Sequence, residues 1–518
     1  MDAGDKMQLP PSSQSFWLDS TAKTDYPALD EDIQVDAAII GGGLVGITTA
    51  WLLKKEGLKV AVLEADRICQ GTTGHSTAKI TSQHNLIYEQ IYTKFGRELA
   101  GQYADANETA VKVMAELIKE HNIDCDFQWK PAYVYTLQDK YVEKIEREAE
   151  TAALLGIKAD YLEKLELPFS VKAAVRFADQ AQFHPRKYVL ALAQLIPGAG
   201  CQIYEETAVT GLEEGRRHTI QTSIGKKIRA ERVINASHFP IHDGLGFFFG
   251  RMYADRSYIL GVITPDKLPE GMYVSAESPG RSLRTQKYKG GEMLLVAGED
   301  HKTAQGVTED THYRNLRDFA GANFTISAIP YRWSAQDYTT ADNVPYIGQV
   351  RSGAENLYLA TGFRKWGIST STVSALLLRD LIVKGKSPWQ DIYSPQRKIT
   401  PAAVGQLVLQ NLDVAKELIA GKLKSPATES IKEGEGKVFA IEGHKLGAHR
   451  AETGQLHLVD VTCTHLGCEL KWNSAEKTWD CPCHGSRFSY EGDVVDGPAL
   501  KPLQHLPEGS NVIDPDII

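Results

Sequence analysis

The sequence predicts an α/β protein that ends in a separate, small all-β domain. Residues 35–40 form an apolar, strand-like run that leads through a glycine-rich turn into residues 44–55, whose apolar positions have helical spacing. Similar α/β units continue to about residue 395. After Val438 the chain consists of short strand-like runs broken by Gly and Asn, and it contains four closely spaced cysteines.

Length and composition describe an ordinary globular protein. The 518 residues allow about three to four domains of roughly 150 residues each. Lys and Arg number 57 against 66 Asp and Glu, a net charge of −9, and 42% of residues are hydrophobic. These values exclude a disordered chain, a collagen-like chain and a small disulfide scaffold. The mildly acidic balance gives no electrostatic reason to expect nucleic acid or an anionic membrane as a partner.

Composition divides the chain into four segments. Residues 1–34 are polar and look like a lead segment, and 35–395 form the α/β part. Residues 396–435 hold a predicted amphipathic helix over 402–423 and a linker rich in Ser, Pro, Glu, Gly and Lys. Residues 436–518 form the β-domain. There is no export signal and no span for a membrane, so we expect a cytoplasmic location.

The turn after the first strand-like run fits the dinucleotide-binding pattern G-x-G-x-x-G. Gly41, Gly43 and Gly46 provide a tight turn, close approach of the backbone to a pyrophosphate, and packing of the helix against the strand. The following helix N-terminus offers N–H donors to phosphate. Glu64 ends the next strand-like run, where a carboxylate binds ribose hydroxyls.

The residues that follow resemble the D-amino-acid oxidase and glycine oxidase family of FAD enzymes. Residues 71–79 look like its Gly/Ser/Thr loop along the flavin, 207–209 like its adenine-side strand, and 235–237 like its third pyrophosphate-side loop. Residues 342–348 and 357–369 look like its C-terminal flavin motif, with a strand ending at Gly362 and a helix beginning near Ser369. The N-terminus of that helix would face the flavin pyrimidine edge.

This resemblance implies a Rossmann-type FAD-binding domain with an inserted α+β substrate domain, together spanning 35–395. It also implies bound FAD and a set of contacts to it. The implied FAD contacts are Gly41, Gly43, Gly46, Glu64, Thr72, Thr73, Ser76, Val209, Asn235, Gly362, Gly367 and Ile368.

The candidates for catalysis beside the flavin are His75, Ser76, Lys365 and Trp366. Each has a simpler interpretation, since Lys365 can be solvated and Trp366 can be a core residue. His238, His242 and Asp243 suggest a metal triad, but this spacing is common by chance and the residues follow the 235–237 loop. We therefore predict no metal at this place.

The clustered cysteines form two boxes, residues 463–468 and 481–486, each containing one His between or beside its cysteines. Zinc accepts two Cys and two His. The paired boxes C-x-H-x-x-C and C-x-C-H-G-S resemble a Rieske domain. That resemblance implies a [2Fe–2S] cluster held by Cys463, His465, Cys481 and His484, and a disulfide between Cys468 and Cys483.

Hydrogen bonds to sulfur tune the potential of Rieske clusters. The family's serine is present as Ser486, but its tyrosine position holds Phe488. The resemblance therefore implies a lower potential than in Rieske proteins of respiratory complexes.

Together the two resemblances predict an FAD-dependent oxidoreductase that oxidises a C–N bond of an amine or amino acid and passes electrons through the Rieske cluster to an unidentified one-electron acceptor. Two alternatives remain open. The cluster could instead be the point at which electrons enter from a donor, or the protein could be a non-catalytic redox carrier or sensor. A Rieske oxygenase is disfavoured, because such enzymes normally lack the two extra cysteines.

Overall fold

The computed structural model describes residues 7–241, 246–398, 431–441 and 444–505, together with residues 405, 411, 413, 414, 416 and 417. The α-helices run as follows: α1 (Phe16–Asp19), α2 (Leu44–Lys55), α3 (Tyr88–Glu120), α4 (Val142–Leu154), α5 (Pro185–Ala193), α6 (Glu309–Asn323), α7 (Gly367–Lys384) and α8 (Gln390–Tyr393). None of these helices is both long and apolar enough to cross a bilayer.

The strands fall into an N-terminal and a C-terminal series. The first series is β1 (Ile33–Ile40), β2 (Val60–Leu63), β3 (Lys79–Ile80), β4 (Gln128–Trp129), β5 (Ala132–Thr136), β6 (Ala159–Leu162), β7 (Ala173–Phe177), β8 (Ala181–Gln182), β9 (Gln202–Tyr204), β10 (Val209–Glu213), β11 (His218–Thr222), β12 (Lys227–Asn235) and β13 (Met252–Ile263). The second is β14 (Met272–Ser275), β15 (Arg281–Tyr288), β16 (Gly291–Lys302), β17 (Ala328–Thr340), β18 (Tyr346–Gln349), β19 (Leu357–Thr361), β20 (Gly436–Ile441), β21 (His444–Arg450), β22 (Leu456–Asp460), β23 (Lys471–Asn473), β24 (Thr478–Asp480), β25 (Arg487–Ser489) and β26 (Val494–Asp496).

The first sheet has the parallel core expected for a dinucleotide-binding domain. Strand β1 pairs in parallel with β2 and β12, β2 pairs in parallel with β9, and β12 pairs in parallel with β19. Ala37, Ala38 and Ile39 of β1 are fully buried. An uninterrupted apolar strand is what a parallel sheet needs when both of its faces are covered. The predicted helix over 44–55 is confirmed as α2, which packs against α7.

The second sheet, called here the large sheet, has the strand order β17-β13-β16-β15-β14-β5-β7-β6. Its strands come from two chain segments, one between β2 and β9 and one between β12 and β18. All of its pairs are antiparallel except β5 with β14. The predicted α+β domain inserted into a Rossmann-type domain is therefore confirmed.

The C-terminal domain is all-β, as predicted. Its described residues form a three-stranded sheet, β20-β21-β22, and a four-stranded sheet, β23-β24-β25-β26. Trp479 and Phe488 are fully buried between them, in a core that also contains the four clustered cysteines. Of the predicted helix over 402–423, the described residues 405, 411, 413, 414, 416 and 417 are helical, and the others lie outside the described residues.

The described part of the predicted lead segment packs on the first domain. Trp17 is fully buried in the main core, and its Nε1–H donates to the carbonyl of Ser76 at 2.7 Å. Phe16 is buried beside it. The composition of residues 1–34 suggested a lead segment, but the part that the structure describes packs against the first domain. Two buried aromatic side chains, Phe16 and Trp17, anchor it there.

Candidate functional site

The glycine-rich turn combines tight packing with one open position. Gly41 has a φ of +108°, and a Cβ there would lie 2.6 Å from the carbonyl oxygen of Ala236. A Cβ on Gly46 would lie 1.9 Å from the carbonyl oxygen of Gly41. A Cβ on Gly43 would meet only the Thr73 hydroxyl, at 3.1 Å. Gly43 is also the N-cap of α2 and has no side chain that could occupy this helix end, so the helix end is suited to a pyrophosphate.

Segments distant in sequence meet at this edge of the parallel sheet. The Glu64 carboxylate accepts a 2.7 Å bond from the Gly42 N–H, and burial raises its pKa. The Thr207 N–H donates to the Glu64 carbonyl at 2.8 Å, which brings the strand of Val209 alongside. Asn235 ends β12 and accepts a bond from Ser237 at 2.6 Å. The residues that the family resemblance implies as FAD contacts here, Gly41, Gly43, Gly46, Glu64, Val209 and Asn235, therefore lie on elements that meet at one edge of the sheet.

The Gly/Ser/Thr loop runs from this turn towards the large sheet. The Thr73 hydroxyl accepts a 3.2 Å bond from the Leu44 N–H. The His75 carbonyl accepts from Trp333 Nε1–H at 2.9 Å, while burial lowers the pKa of the His75 imidazole. The Ser76 hydroxyl is buried and has no hydrogen-bond partner. An unpaired buried hydroxyl on this path fits a loop that lies along a bound flavin.

The C-terminal flavin motif is a strained turn. Strand β19 ends at Thr361, and α7 begins at Gly367, slightly earlier than predicted. Between them Gly362, Arg364 and Lys365 have φ values of 77°, 52° and 68°. Consecutive non-glycine residues in the left-handed region are costly, and such strain is concentrated at functional sites. The carboxylate of Asp337 fixes the turn by accepting the Lys365 N–H at 2.6 Å.

Two of the predicted catalytic candidates lie in this turn. Trp366 stacks on His84 with ring centroids 5.2 Å apart, and His84 Nε2 lies 3.0 Å from the Ser369 hydroxyl on α7. His84 follows β3 and the Gly/Ser/Thr loop, so the structure places that loop beside the start of α7. The Lys365 ammonium lies 3.9 Å from the Asp300 carboxylate and is not simply solvated.

An acidic pair on the large sheet was missed by sequence reasoning. Asp255 of β13 accepts a 3.2 Å bond from the Thr339 hydroxyl, and burial raises its pKa to about 6 despite the nearby Lys365 ammonium. Burial also tends to raise the pKa of Asp300, but the Lys365 ammonium and the Gly280 N–H hold that pKa below its ordinary value. No local motif marks either residue, because each reaches the site only through strand pairing.

Two buried cations were also missed. The Lys79 ammonium donates to Thr77 at 3.3 Å and to Ser282 at 2.5 Å, and burial lowers its pKa to about 7. Arg284 is 1% exposed and donates to the Ala78 carbonyl at 2.6 Å, and burial lowers its pKa to about 9. Among the described residues neither has a carboxylate within ion-pair distance. In the sequence, the signal that could have pointed to Lys79 is a single lysine at the end of a loop of mostly small residues, 71–79.

The two cysteine boxes form matching loops in the β-domain. Gly467 and Gly485 take left-handed φ values of 76° and 79°, and their N–H groups bond back to the carbonyls of Cys463 and Cys481 at 2.9 and 3.1 Å. The glycine in each box is therefore required by the turn. Cys468 and Cys483 form a disulfide that joins the loops, as the Rieske resemblance implies.

The remaining cysteine and histidine side chains converge as a cluster site. The thiols of Cys463 and Cys481 are in hydrogen-bond contact, and the rings of His465 and His484 lie 5.1 Å apart. The Nδ1 atoms of both histidines are buried without a partner. The sulfurs of Cys468, Cys481 and Cys483 lie within 4.8 Å of one another. Two of these three, Cys468 and Cys483, form the disulfide, so the short distances show that the disulfide packs beside Cys481. The free thiols of Cys463 and Cys481 and the unpaired imidazoles of His465 and His484 fit a Rieske cluster.

Ser486 and Phe488 occupy the positions expected near the sulfurs. Ser486 is fully buried, forms a hydrogen bond with the Cys463 thiol, and accepts a 3.0 Å bond from the Ala499 N–H. Phe488 is fully buried in the cysteine-containing core.

The β-domain is docked on the large sheet with its cluster site facing inward. Phe249 contacts both histidine rings, at centroid distances of 6.1 Å to His465 and 5.7 Å to His484. Gln336 Nε2–H donates to the Gly485 carbonyl at 2.8 Å, and the Tyr338 hydroxyl donates to the Gly497 carbonyl at 2.8 Å. Side chains of the large sheet thus bind the loops that carry and flank the cluster ligands.

Of the three residues considered as a metal triad, only His238 lies within the described residues. Its Nε2 lies 3.0 Å from Asp337, and its Nδ1 lies 3.9 Å from Asp496 in the β-domain. His242 and Asp243 lie outside the described residues.

Comparisons with known proteins agree with this architecture. Residues 36–381 match the family model described as FAD dependent oxidoreductase, and residues 422–507 match the Rieske [2Fe-2S] domain. A relative from Bacillus subtilis (strain 168), named as the Rieske 2Fe-2S iron-sulfur protein YhfW, is 44% identical over 495 residues, covering 95% of this chain and 97% of its own. The gamma-glutamylputrescine oxidoreductase of Escherichia coli (strain K12) is 23% identical over 71% of this chain and 89% of its own.

Solved structures show the fold of the first two domains. Glycine oxidase from Geobacillus kaustophilus has a TM-score of 0.59 at 20% identity and covers 71% of this chain and 100% of its own. L-proline dehydrogenase from P. horikoshii has a TM-score of 0.57 at 21% identity, with coverages of 71% and 98%. The chain therefore belongs to the FAD dependent oxidoreductase family and carries a C-terminal Rieske domain, so that its cofactors are FAD and a [2Fe–2S] cluster.

Proposed function

We propose that this protein oxidises a C–N bond of an amine or amino acid and passes the electrons through its Rieske cluster to a one-electron acceptor. The names of its relatives support the substrate class. Glycine oxidase, L-proline dehydrogenase and gamma-glutamylputrescine oxidoreductase are each named for an amino acid or an amine derivative.

The observation that carries the proposal is the alternation of side chains on β13 and β17. Asp255 and Asp337 are paired opposite each other and face the strained flavin turn, where they lie near Lys365. The next pair, Arg256 and Gln336, faces the β-domain and bonds to it. One layer of sheet therefore lies between the flavin turn and the β-domain, and this supports electron transfer between the cofactors because packed layers are about 10 Å apart.

The chain's own side chains support amine oxidation at the flavin-facing side. Bound FAD supplies a hydride acceptor, and a neutral amine is a better hydride donor than an ammonium. Asp255 holds a proton-accepting carboxylate there, since its pKa of about 6 leaves it ionised at neutral pH. Trp366 and His84 stack beside the start of α7 and supply an apolar surface there. The N-terminus of α7, which carries no side-chain cap bond, stabilises negative charge.

An anaerobic screen tests this proposal. Amines and amino acids are mixed one at a time with the full-length protein while flavin and cluster absorbance are followed. We expect one compound to bleach the flavin rapidly and the cluster to be reduced afterwards. Reduction by NADPH but by no amine would indicate a substrate of another class. Reduction of the flavin only after a one-electron donor has reduced the cluster would indicate that the cluster is the electron entry, and absence of reduction by any compound would indicate a carrier or sensor.

Two cysteine variants separate the cluster from the flavin. Cys481→Ser should lose the cluster but keep FAD and substrate-dependent flavin bleaching. Cys201→Ser is the matched control, because Cys201 is buried in the first domain, where its sulfur accepts from Val60 N–H at 3.4 Å and contacts the Leu58 carbonyl at 3.3 Å. Turnover with a one-electron acceptor that is equal in both variants would show that the cluster is off the path.

A further inference from the structure

His238 occupies a position between the two cofactor sites, and its backbone carbonyl accepts a hydrogen bond from the Thr361 hydroxyl at the end of β19. It lies in the loop after β12, whose Ala236 N–H bonds to Ile40 and whose Ala236 carbonyl faces Gly41 of the nucleotide turn. The backbone of His238 has a φ of 69°. A non-glycine residue in this region is costly unless the surroundings hold it in place.

Two carboxylates from different domains hold the imidazole. Nε2 lies 3.0 Å from Asp337 Oδ1, while Nδ1 lies 3.4 Å from the Thr72 hydroxyl and 3.9 Å from Asp496 Oδ1. Burial opposes protonation, but the two carboxylates raise the pKa of His238 to about 10. The ring therefore carries a positive charge at neutral pH. The side chain is 17% exposed, and the Tyr338 ring packs edge-on against it at 4.9 Å.

Each of the two carboxylates also accepts a hydrogen bond from a second partner, one on the flavin side and one on the cluster side. On the flavin side, the other oxygen of Asp337 accepts the Lys365 N–H at 2.6 Å and fixes the strained turn. On the cluster side, Asp496 accepts a 3.2 Å bond from Gln336 and directly precedes Gly497. The loop that begins there continues to Ala499, whose N–H bonds to Ser486 beside the cluster cysteines.

We propose that His238, as an imidazolium between Asp337 and Asp496, is a positioning residue that holds the cluster-side loop against the flavin-side turn and thereby sets the rate of electron transfer between flavin and cluster. This inference rests on the electron path of the proposed function. The path depends on the distance between the cofactors, and His238 adds a charged link between the two loops to the hydrogen bonds that Gln336 and Tyr338 make to the β-domain.

The test uses the full-length holoenzyme and needs no substrate. A light pulse generates deazaflavin radicals that reduce the protein, and the subsequent exchange of electrons between flavin and cluster is followed by absorbance. His238→Gln should keep both cofactors and slow this exchange about tenfold, equivalent to about 1.4 kcal/mol in the barrier. The cluster's EPR spectrum should shift, because the cluster-side loop loses its charged contact and is then held to the large sheet by the hydrogen bonds from Gln336 and Tyr338.

Three further variants make the result decisive. Asp496→Asn leaves the Asp337 pair intact and should slow exchange to a similar extent, and the double variant should be no slower than either single variant. His238→Arg retains a cation and should restore part of the rate. His457→Gln, which removes a β-domain histidine 4.0 Å from Glu491, is the control and should leave the rate unchanged.

The outcomes distinguish this inference from the function on which it rests. If flavin and cluster do not exchange electrons in the unmodified protein, the proposed electron path is wrong. If they do, and His238→Gln and Asp496→Asn exchange electrons at the unmodified rate with an unchanged EPR spectrum, the role assigned to His238 is overturned. Equal slowing in His457→Gln would also overturn it, since the effect would then not be specific.

Discussion

Asp255 and Arg256 are consecutive residues on β13, yet their side chains belong to the environments of two different cofactors. Asp255 lies beside Thr339 and Lys365 near the flavin turn. Arg256 is fully buried on the opposite face, where its guanidinium pairs with Glu476 and lies 3.5 Å from Asp480 of the β-domain. A single extended strand thus forms part of both sites, because successive side chains in a strand point to opposite faces.

The first prediction concerns the buried charge network that joins the domains. Arg256→Met should destabilise the protein by about 3 kcal/mol, because removing one member of a buried ion pair leaves carboxylates without full compensation. Arg487 still pairs with Glu476 at 2.6 Å and with Asp480 at 3.2 Å, which limits the loss. Urea unfolding measures it. Arg147→Met, which breaks an exposed pair with Glu143, should change the unfolding free energy by less than about 0.5 kcal/mol, and equal effects of the two variants would contradict the assignment.

The second prediction concerns the raised pKa of Asp255, about 6. Because the folded state holds its proton more tightly than the unfolded chain, ionisation of Asp255 costs stability as pH rises from about 4 to about 6. Asp255→Asn should therefore raise the free energy of unfolding at pH 7, by at most about 3 kcal/mol, and should leave it unchanged near pH 4. Thermal unfolding at several pH values measures this. A gain that is equal at all pH values would refute the assigned cause.

The third prediction has the opposite pH dependence. Burial lowers the pKa of Lys79 to about 7, so its charged form costs stability at low pH, and this cost disappears as pH rises from about 7 towards 10. Lys79→Met should stabilise the protein at pH 6 by up to about 4 kcal/mol, less the hydrogen bonds to Thr77 and Ser282. The gain should vanish near pH 10. Lys158→Met, at an exposed lysine paired with Asp179, should show no such trend.

The fourth prediction concerns the cluster's potential. Ser486→Ala removes a hydrogen bond to Cys463. Such a bond contributes roughly 1 kcal/mol, which corresponds to about 40 mV for a one-electron couple, and the potential should fall by tens of millivolts. Phe488→Tyr should raise it by a similar amount if the new hydroxyl reaches a sulfur. Redox titration of the full-length protein followed by EPR measures both, and an unchanged potential in Ser486→Ala would make the hydrogen-bond assignment wrong.

The fifth prediction uses the open position in the nucleotide turn. A Cβ at Gly43 meets only the Thr73 hydroxyl, at 3.1 Å, so Gly43→Val should fold but lose FAD, because the valine occupies the approach of the pyrophosphate. Gly101→Ala in α3 meets nothing within 4 Å. It should retain FAD and gain about 1 kcal/mol in helix stability. Flavin content after gel filtration, with circular dichroism as the check on folding, decides the matter; full flavin content in Gly43→Val would show that the pyrophosphate lies elsewhere.

The sequence by itself determined the features that short runs of residues encode. The glycines at 41, 43 and 46 and the bounds of α2 follow from local turn and helix requirements, and the two cysteine boxes contain all the ligand types of a Rieske site within two short loops. Each of these features depends on neighbours in the chain, so spacing alone is sufficient to predict it. The same holds for the division into an α/β part and a small β-domain.

Only the tertiary structure decided which residues from distant segments meet. Lys79 with Ser282, Lys365 with Asp300, and His238 with Asp496 are contacts between segments far apart in sequence. On β13 and β17 a shift of one residue in the pairing register would exchange the side chains that face the flavin turn for those that face the cluster. That register is set by burial on both faces of the sheet, to which the whole chain contributes, and no local pattern encodes it.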